Sequence, residues 1–294
     1  MDTYQDFGFN SNEFLGKLTT VPYCQFLNAS TKNYGIAITP ANAELARFEI
    51  TDSWQLIEHE FSDGSNASLL VAKQPRLLVL NRSLPLMTNG LEMVAYTKEK
   101  FQTGEYKAFS YVVVWFLDDN NKPLSDLPFR LKCSGFAGLT FLKNYSYYNN
   151  PNSFCKQFLQ TYKILTGDRA IDKNEIFYAH GVYQPTLTRQ KATSSINGQS
   201  SFAVMTNSFL KPNTSNFGSL IIKNGTEVSH KIKELIETTK PWLEIDAISS
   251  SRESESASIN SKQVENLSSE AKSCEPIVEQ NGIEAGLTPE PIPF

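Results

Sequence analysis

The stretch AYTKEKFQTGEYKAFSY, residues 95–111, interleaves rings with cations: Tyr96, Lys98, Lys100, Phe101, Tyr106, Lys107, Phe109 and Tyr111. Sequence-tolerant capture of a single nucleic-acid strand uses this mixture. Bases stack on aromatic faces while ammonium and guanidinium groups meet phosphates. Glu99 and Glu105 dilute the charge, so a solvated hairpin whose rings pack on one another is the competing reading. In FRLKC, strand alternation puts Phe129, Leu131 and Cys133 on one face and Arg130 with Lys132 on the other. Two cations on one sheet face suit a phosphate track, although a solvated face is the commoner origin of such a pattern.

Two further stretches combine the same residue types. FLKNYSYYNN carries Lys143, Tyr145, Tyr147 and Tyr148. Its tyrosines either stack on bases or cover the end of the β structure. TLTRQKATSSINGQSS, residues 186–201, reads as a long polar loop carrying Arg189 and Lys191 with Gly198. It either orders over a bound strand or simply connects a hairpin.

Catalytic and metal chemistry find less support. Cys24, Cys133, Cys155 and Cys274 form no Cys-x-x-Cys pair, and His59, His180 and His230 stand apart. Metal centres need ligands converging at defined spacing, so the thiols read as small core residues plus one in the tail. A Cys–His nucleophile pair would need Cys133 or Cys155 brought to His180 by the fold. Gly135 and Gly138 in CSGFAGLTF are not followed by Lys-Ser/Thr, so backbone turning explains them better than a phosphate loop. The expectation is a protein that is not an enzyme, with no cofactor and no metal.

The elements that must position these residues are mostly strands. KLTTVPYCQFLN (17–28) reads as the first strand and YGIAITP as a short extended piece. Thr39 and Pro40 open a helix as N-cap and first helical residue. WQLIEHEF reads as strand or helix end, and SLLVAKQPRLLVLNRS is β-rich with a break at Pro75. LEMVAYT, FSYVVVWFLD and LPFRLKCSG are β-branched and aromatic runs bounded by turns, hence strands. SFCKQFLQTYKIL has helical spacing stopped by Gly167. EIFYAHGVYQPTLT and SFAVMTNSFL read as later strands, and Thr226 caps a closing helix whose apolar face is Val228, Ile232, Leu235 and Ile236. This order predicts a mainly β, α+β body: a β-barrel or strongly bent sheet with helical insertions.

The chain changes character near Trp242. From Glu244 onward there are ten acids against three bases, a formal −7, which leaves +3 on residues 1–243 of a chain whose total is −4. Of its 34 aromatic residues only Phe294 lies in that segment. A segment so poor in apolar area cannot offset its ordering entropy. We therefore expect a flexible arm over 1–15, a body over 16–243, a disordered acidic linker over 244–290 and an apolar tip over 291–294. The start MDTYQDFGFN lacks the basic and apolar regions of a secretory signal. The run YVVVWFL is too short to span a bilayer. The expectation is a soluble, cytoplasmic protein with no membrane partner.

The ending Ile292, Pro293, Phe294, behind an acidic linker and an aromatic, mildly basic body, resembles the single-stranded DNA-binding proteins. Bacterial members end in Ile-Pro-Phe after an OB-fold body and a disordered linker. The resemblance implies an elaborated OB-like barrel that coats single-stranded DNA. It also implies self-association, a nucleoid location, and recruitment of replication, recombination and repair enzymes through the tip. Where that family has aspartates before the tip, this chain has Pro289, Glu290 and Pro291. The ring-and-cation stretches above supply the candidate binding residues: Tyr96, Lys98, Lys100, Phe101, Tyr106, Lys107, Arg130, Lys132, Lys143, Tyr147, Arg189 and Lys191. The preference for DNA over RNA comes from the resemblance alone. The alternative is a non-enzymatic protein–protein interaction module with a solubilising acidic tail.

Overall fold

The computed structural model describes residues 21–60, 64, 66–146, 150–193 and 200–244. The expected arm over 1–15, the linker beyond Glu244, the tip with Ile292, Pro293 and Phe294, and Tyr147 lie outside them.

The sheet begins with β1 (Tyr23–Asn28) and β2 (Tyr34–Ile38), an antiparallel hairpin. Helix α1 (Pro40–Ala46) follows; Thr39 caps it by accepting from the Asn42 amide, and Pro40 opens it as expected. Next come β3 (Gln55–Glu60), β4 (Asn66–Ala72), β5 (Arg76–Arg82), β6 (Leu86–Thr88) and β7 (Met93–Ala95). Helix α2 (Lys98–Gln102) lies in the connection to β8 (Lys107–Leu117), which is followed by β9 (Phe129–Ser134). These strands form one nine-stranded sheet ordered β3-β4-β2-β1-β9-β8-β6-β7, with β5 also paired to β8. Every pairing is antiparallel except β1 with β9.

The mainly β architecture with helices is as expected. The closed OB-like barrel is not: among the described residues the strand path runs from β3 to β7 without returning on itself. The parallel β1–β9 pair spans only Tyr23 and Cys24 against Arg130 and Leu131. It joins two antiparallel halves edge to edge and leaves the far edges apart.

Helices α3 (Gly135–Ser146) and α4 (Phe154–Thr166) then pack on one face of the sheet with a separate hairpin, β10 (Pro185–Thr193) and β11 (Ser200–Phe209). On the other face lies the closing helix α6 (Glu227–Thr239), which ends in a 3-10 turn, Lys240–Leu243, while the short α5 (Glu175–Ala179) sends Phe177 and Tyr178 to the first cluster and Ile176 and Ala179 to the second. The alternation of β8 divides the core. Val112, Val114 and Phe116 enter the larger cluster with Phe129, Leu131 and Cys133, whereas Val113 and Trp115 face Ile232, Leu235 and Ile236 of α6. Phe116 and Phe129 are fully buried, each contributing about 1.5–3 kcal/mol relative to exposure.

Two expectations change. EIFYAHGVYQPTLT is not one strand: Asn174 accepts from the Phe177 amide and caps α5, and β10 starts only at Pro185. LEMVAYT yields only Met93–Ala95, because Thr97 caps α2 immediately afterwards. Gly135 and Gly138 act through the backbone, as expected. Gly135 has φ 54°. A Cβ on Gly138 would lie 2.2 Å from the carbonyl carbon of Cys133, so α3 crosses β9 at a distance that admits only glycine. Gly167 closes α4 in the left-handed region. Cys24, Cys133 and Cys155 are free and buried. Among the described residues no helix is long and apolar enough to cross a membrane.

Candidate nucleic-acid interface

The α6-bearing face of the sheet is not covered to its end. Beyond the 3-10 turn it presents Lys107, Phe109 and Tyr111 on β8 beside Arg130 and Lys132 on β9, in the alternation expected from FRLKC. Tyr111 stands directly opposite Lys132 across the ladder. The two rings meet edge to face at 5.4 Å and are sealed by Leu86, Met93 and Leu243. Cations lie over them: the Lys132 Nζ is 4.6 Å from the Phe109 ring centre and the Arg130 Cζ is 4.9 Å from that of Tyr111. Contacts of this kind contribute about 0.5–2 kcal/mol, more as water is excluded. Arg130 is buried and donates through Nη1 to the Trp242 carbonyl at 3.3 Å. Lys132 is half-buried and Lys107 exposed. Arg130 thus fixes where the chain leaves the body, and the two lysines carry charge to the surface.

The β7–β8 connection is folded on itself. Thr97 accepts from the Lys100 amide and starts α2. The Tyr106 ring is buried, its hydroxyl donates to Glu92, and Lys100 pairs with the same carboxylate at 3.6 Å. These contacts hold the Glu92 carboxyl below the usual carboxylate range, Tyr106 first and Lys100 second. Tyr96 and Phe101 face each other at 5.6 Å, both half-buried. Lys98 is exposed at the start of α2. The side chains of this stretch therefore divide into Tyr106 and Lys100, engaged locally, and Tyr96, Phe101 and Lys98, which reach solvent.

The remaining candidates stand on other elements. Lys143 is exposed in the last turn of α3. Arg189 and Lys191 lie on β10, not in the loop of the hairpin. The Arg189 Nε donates to Asn28 Oδ1 at 3.0 Å, and its Cζ lies 4.4 Å from the ring centre of Phe202. Phe202 is 51% exposed and pairs with Lys191 across the hairpin. An exposed ring flanked by two cations is a ready stacking surface. The sequence reading missed Phe202 because SFAVMTNSFL looks like an ordinary strand. Its partners become apparent only with the β10–β11 register.

No curated protein and no solved structure matches this chain. A family model described as a domain of unknown function, DUF5895, matches residues 19–255, a span that includes every element above. The chain belongs to that family.

Proposed function

We propose that the protein binds single-stranded nucleic acid without strong sequence preference, and DNA in particular by the likeness of its C-terminal tip. The observation that carries this reading is the row of Lys107, Lys132 and Arg130 on one face of β8 and β9, with aromatic rings held beneath the cations. Phosphates follow the lysines. Bases stack at the solvent-reaching rings, Phe202 on the hairpin and the Tyr96–Phe101 pair beside β8. Arg130 holds the Trp242 carbonyl, two residues before Glu244, so the −7 segment starts close to the cationic face and competes with nucleic acid there. Ile292, Pro293 and Phe294 then dock replication, recombination and repair enzymes, with the Phe294 ring supplying apolar area.

The test compares single-stranded DNA, duplex DNA and single-stranded RNA at two salt concentrations. Single-stranded DNA is expected to bind most tightly, with affinity falling steeply as salt rises because counterions are released. Lys107→Ala and Lys132→Ala are each expected to lower the salt slope by about 1. Folded variants that keep the parent's slope overturn this surface as the phosphate track.

A second reading, a protein-interaction module, is favoured by one observation. The Tyr106 hydroxyl and the Lys100 ammonium are both engaged by Glu92, which makes part of the β7–β8 connection self-sufficient. Oligonucleotide binding that is absent at low salt would favour that module.

A further inference from the structure

On the opposite face of the sheet, a cavity of about 290 Å³ lies between the end of β5 and the first turn of α4. Its lining includes Arg82, Tyr145, Ser153, Cys155, Lys156 and Tyr178. Two features of it lack any structural purpose. The Arg82 Nε and Nη2 are buried with no hydrogen-bond partner, and none of the ion pairs among the described residues involves Arg82. Ser153 is fully buried, and its Oγ also lacks a partner.

Ser153 occupies the N-cap of α4, where a serine hydroxyl ordinarily accepts from the first-turn amides. Here it makes no such bond. Its backbone is fully used: the amide donates to Asn150 O at 3.0 Å and the carbonyl accepts from the Gln157 amide at 3.1 Å. The hydroxyl and the first-turn amides of this 13-residue helix remain to serve something in the cavity. Lys156, on that first turn, adds a second cation. Two carboxylates, Asp172 and Glu175, also line the cavity, but neither pairs with Arg82. Asp172 accepts from the Tyr178 hydroxyl and the Lys173 amide, and Glu175 opens α5. Burial lowers the Arg82 pKa from its ordinary value, and no carboxylate acts to restore it. A desolvated guanidinium without a counter-charge is costly.

We propose that this cavity is a binding site for a terminal phosphate group, held by the Arg82 guanidinium, the Ser153 hydroxyl, Lys156 and the N-terminus of α4. Phosphate suits a fork of guanidinium donors with a hydroxyl and helix amides around it. The donors are buried and the volume is small. A monoester, entering by one arm, therefore fits better than an internal phosphodiester, whose two ester arms must both leave. The Tyr145 ring, stacked on Phe154 at 5.9 Å, and Val79 of the larger cluster form an apolar wall for the attached group. The site faces away from Lys107 and Lys132, so it stands or falls separately from the proposed strand-binding face.

The test uses the full chain and inorganic phosphate as probe. Phosphate is expected to raise the melting temperature saturably, because it binds the folded state alone. Sodium chloride at equal ionic strength is not. Arg82→Met is expected to abolish the response, and Ser153→Ala and Arg82→Lys each to weaken apparent affinity by about tenfold or more. The milder pair keeps the test valid if Arg82→Met does not fold. Equal responses to phosphate and chloride, or variants that respond like the parent, overturn the site. Comparison of 5′-phosphorylated with unphosphorylated oligonucleotide then identifies the source. Tighter binding of the phosphorylated strand, lost in Ser153→Ala, assigns the site to a strand end. Equal binding with phosphate still stabilising the protein assigns it to a small phosphomonoester.

Discussion

Arg130 and Arg82 pair with neighbouring residues of the same strand, Val113 and Val112 of β8. Because consecutive residues of a strand point to opposite faces, the two guanidinium groups leave the sheet in opposite directions. Arg130 meets the Tyr111 ring and the Trp242 carbonyl. Arg82 has two buried nitrogens with no partner. The first is a component of the architecture: it ties the end of the folded body to the sheet. The second costs the free protein stability and is repaid only when a ligand arrives. Strand alternation, which sets it on one face with Lys132, drew attention to the first. Two such nitrogens at the wall of a cavity distinguish the second.

The largest expected effect tests this contrast in stability. Arg130→Met removes a hydrogen bond from a charged donor and exposes the Trp242 carbonyl, so denaturant unfolding should show a loss of about 1.5–3 kcal/mol. Arg82→Met removes two unsatisfied groups while keeping most of the apolar stem. It should leave stability unchanged or raise it by about 1 kcal/mol. Equal losses in the two variants would erase the distinction.

A smaller effect separates the rings that reach solvent from those that do not. Phe202→Ala and Phe101→Ala should each weaken binding of single-stranded DNA by about 1–3 kcal/mol if those rings stack on bases. Tyr106→Phe should leave affinity unchanged while removing the Glu92 hydrogen bond, with a small loss of stability. Titration of folded variants with a fluorescent oligonucleotide reads the first, and thermal unfolding the second. A Tyr106→Phe variant with clearly lower affinity would move the site into the connection itself.

The smallest effect concerns the acidic segment. A fragment spanning residues 1–243 should bind single-stranded DNA a few-fold more tightly than the full chain at low salt. The difference should vanish as the Debye length shrinks to about 3 Å near 1 M. Weaker binding by the fragment would show that the segment assists the cationic face instead of competing with it.

Much of the local structure was legible because its causes are local. Thr39 with Pro40, Thr226 and Gly167 mark helix ends through their own backbone and side-chain chemistry. The FRLKC alternation sorted Arg130 and Lys132 from Leu131 because a strand fixes that pattern. Helix α3 was obscured for the opposite reason. Gly135 and Gly138 resemble breakers, and only the crossing over Cys133 explains a glycine inside a helix. The open sheet was equally hidden, since the parallel β1–β9 pair joins segments more than a hundred residues apart. The cavity left no sequence signal at all. NRS and NSF are unremarkable triplets until the fold buries Arg82 and Ser153 and withholds their partners.

The crossing at Gly138 also bears on what that position can accept. There is no room for even a methyl group between Gly138 of the helix and Cys133 of the strand. Tyr145 lines the cavity from α3, two turns from that joint, while Lys132 sits next to Cys133 on the strand side of it. Any side chain at position 138 would therefore have to move the start of α3 away from Cys133, at the point where the cationic strand hands over to the helix that carries Tyr145.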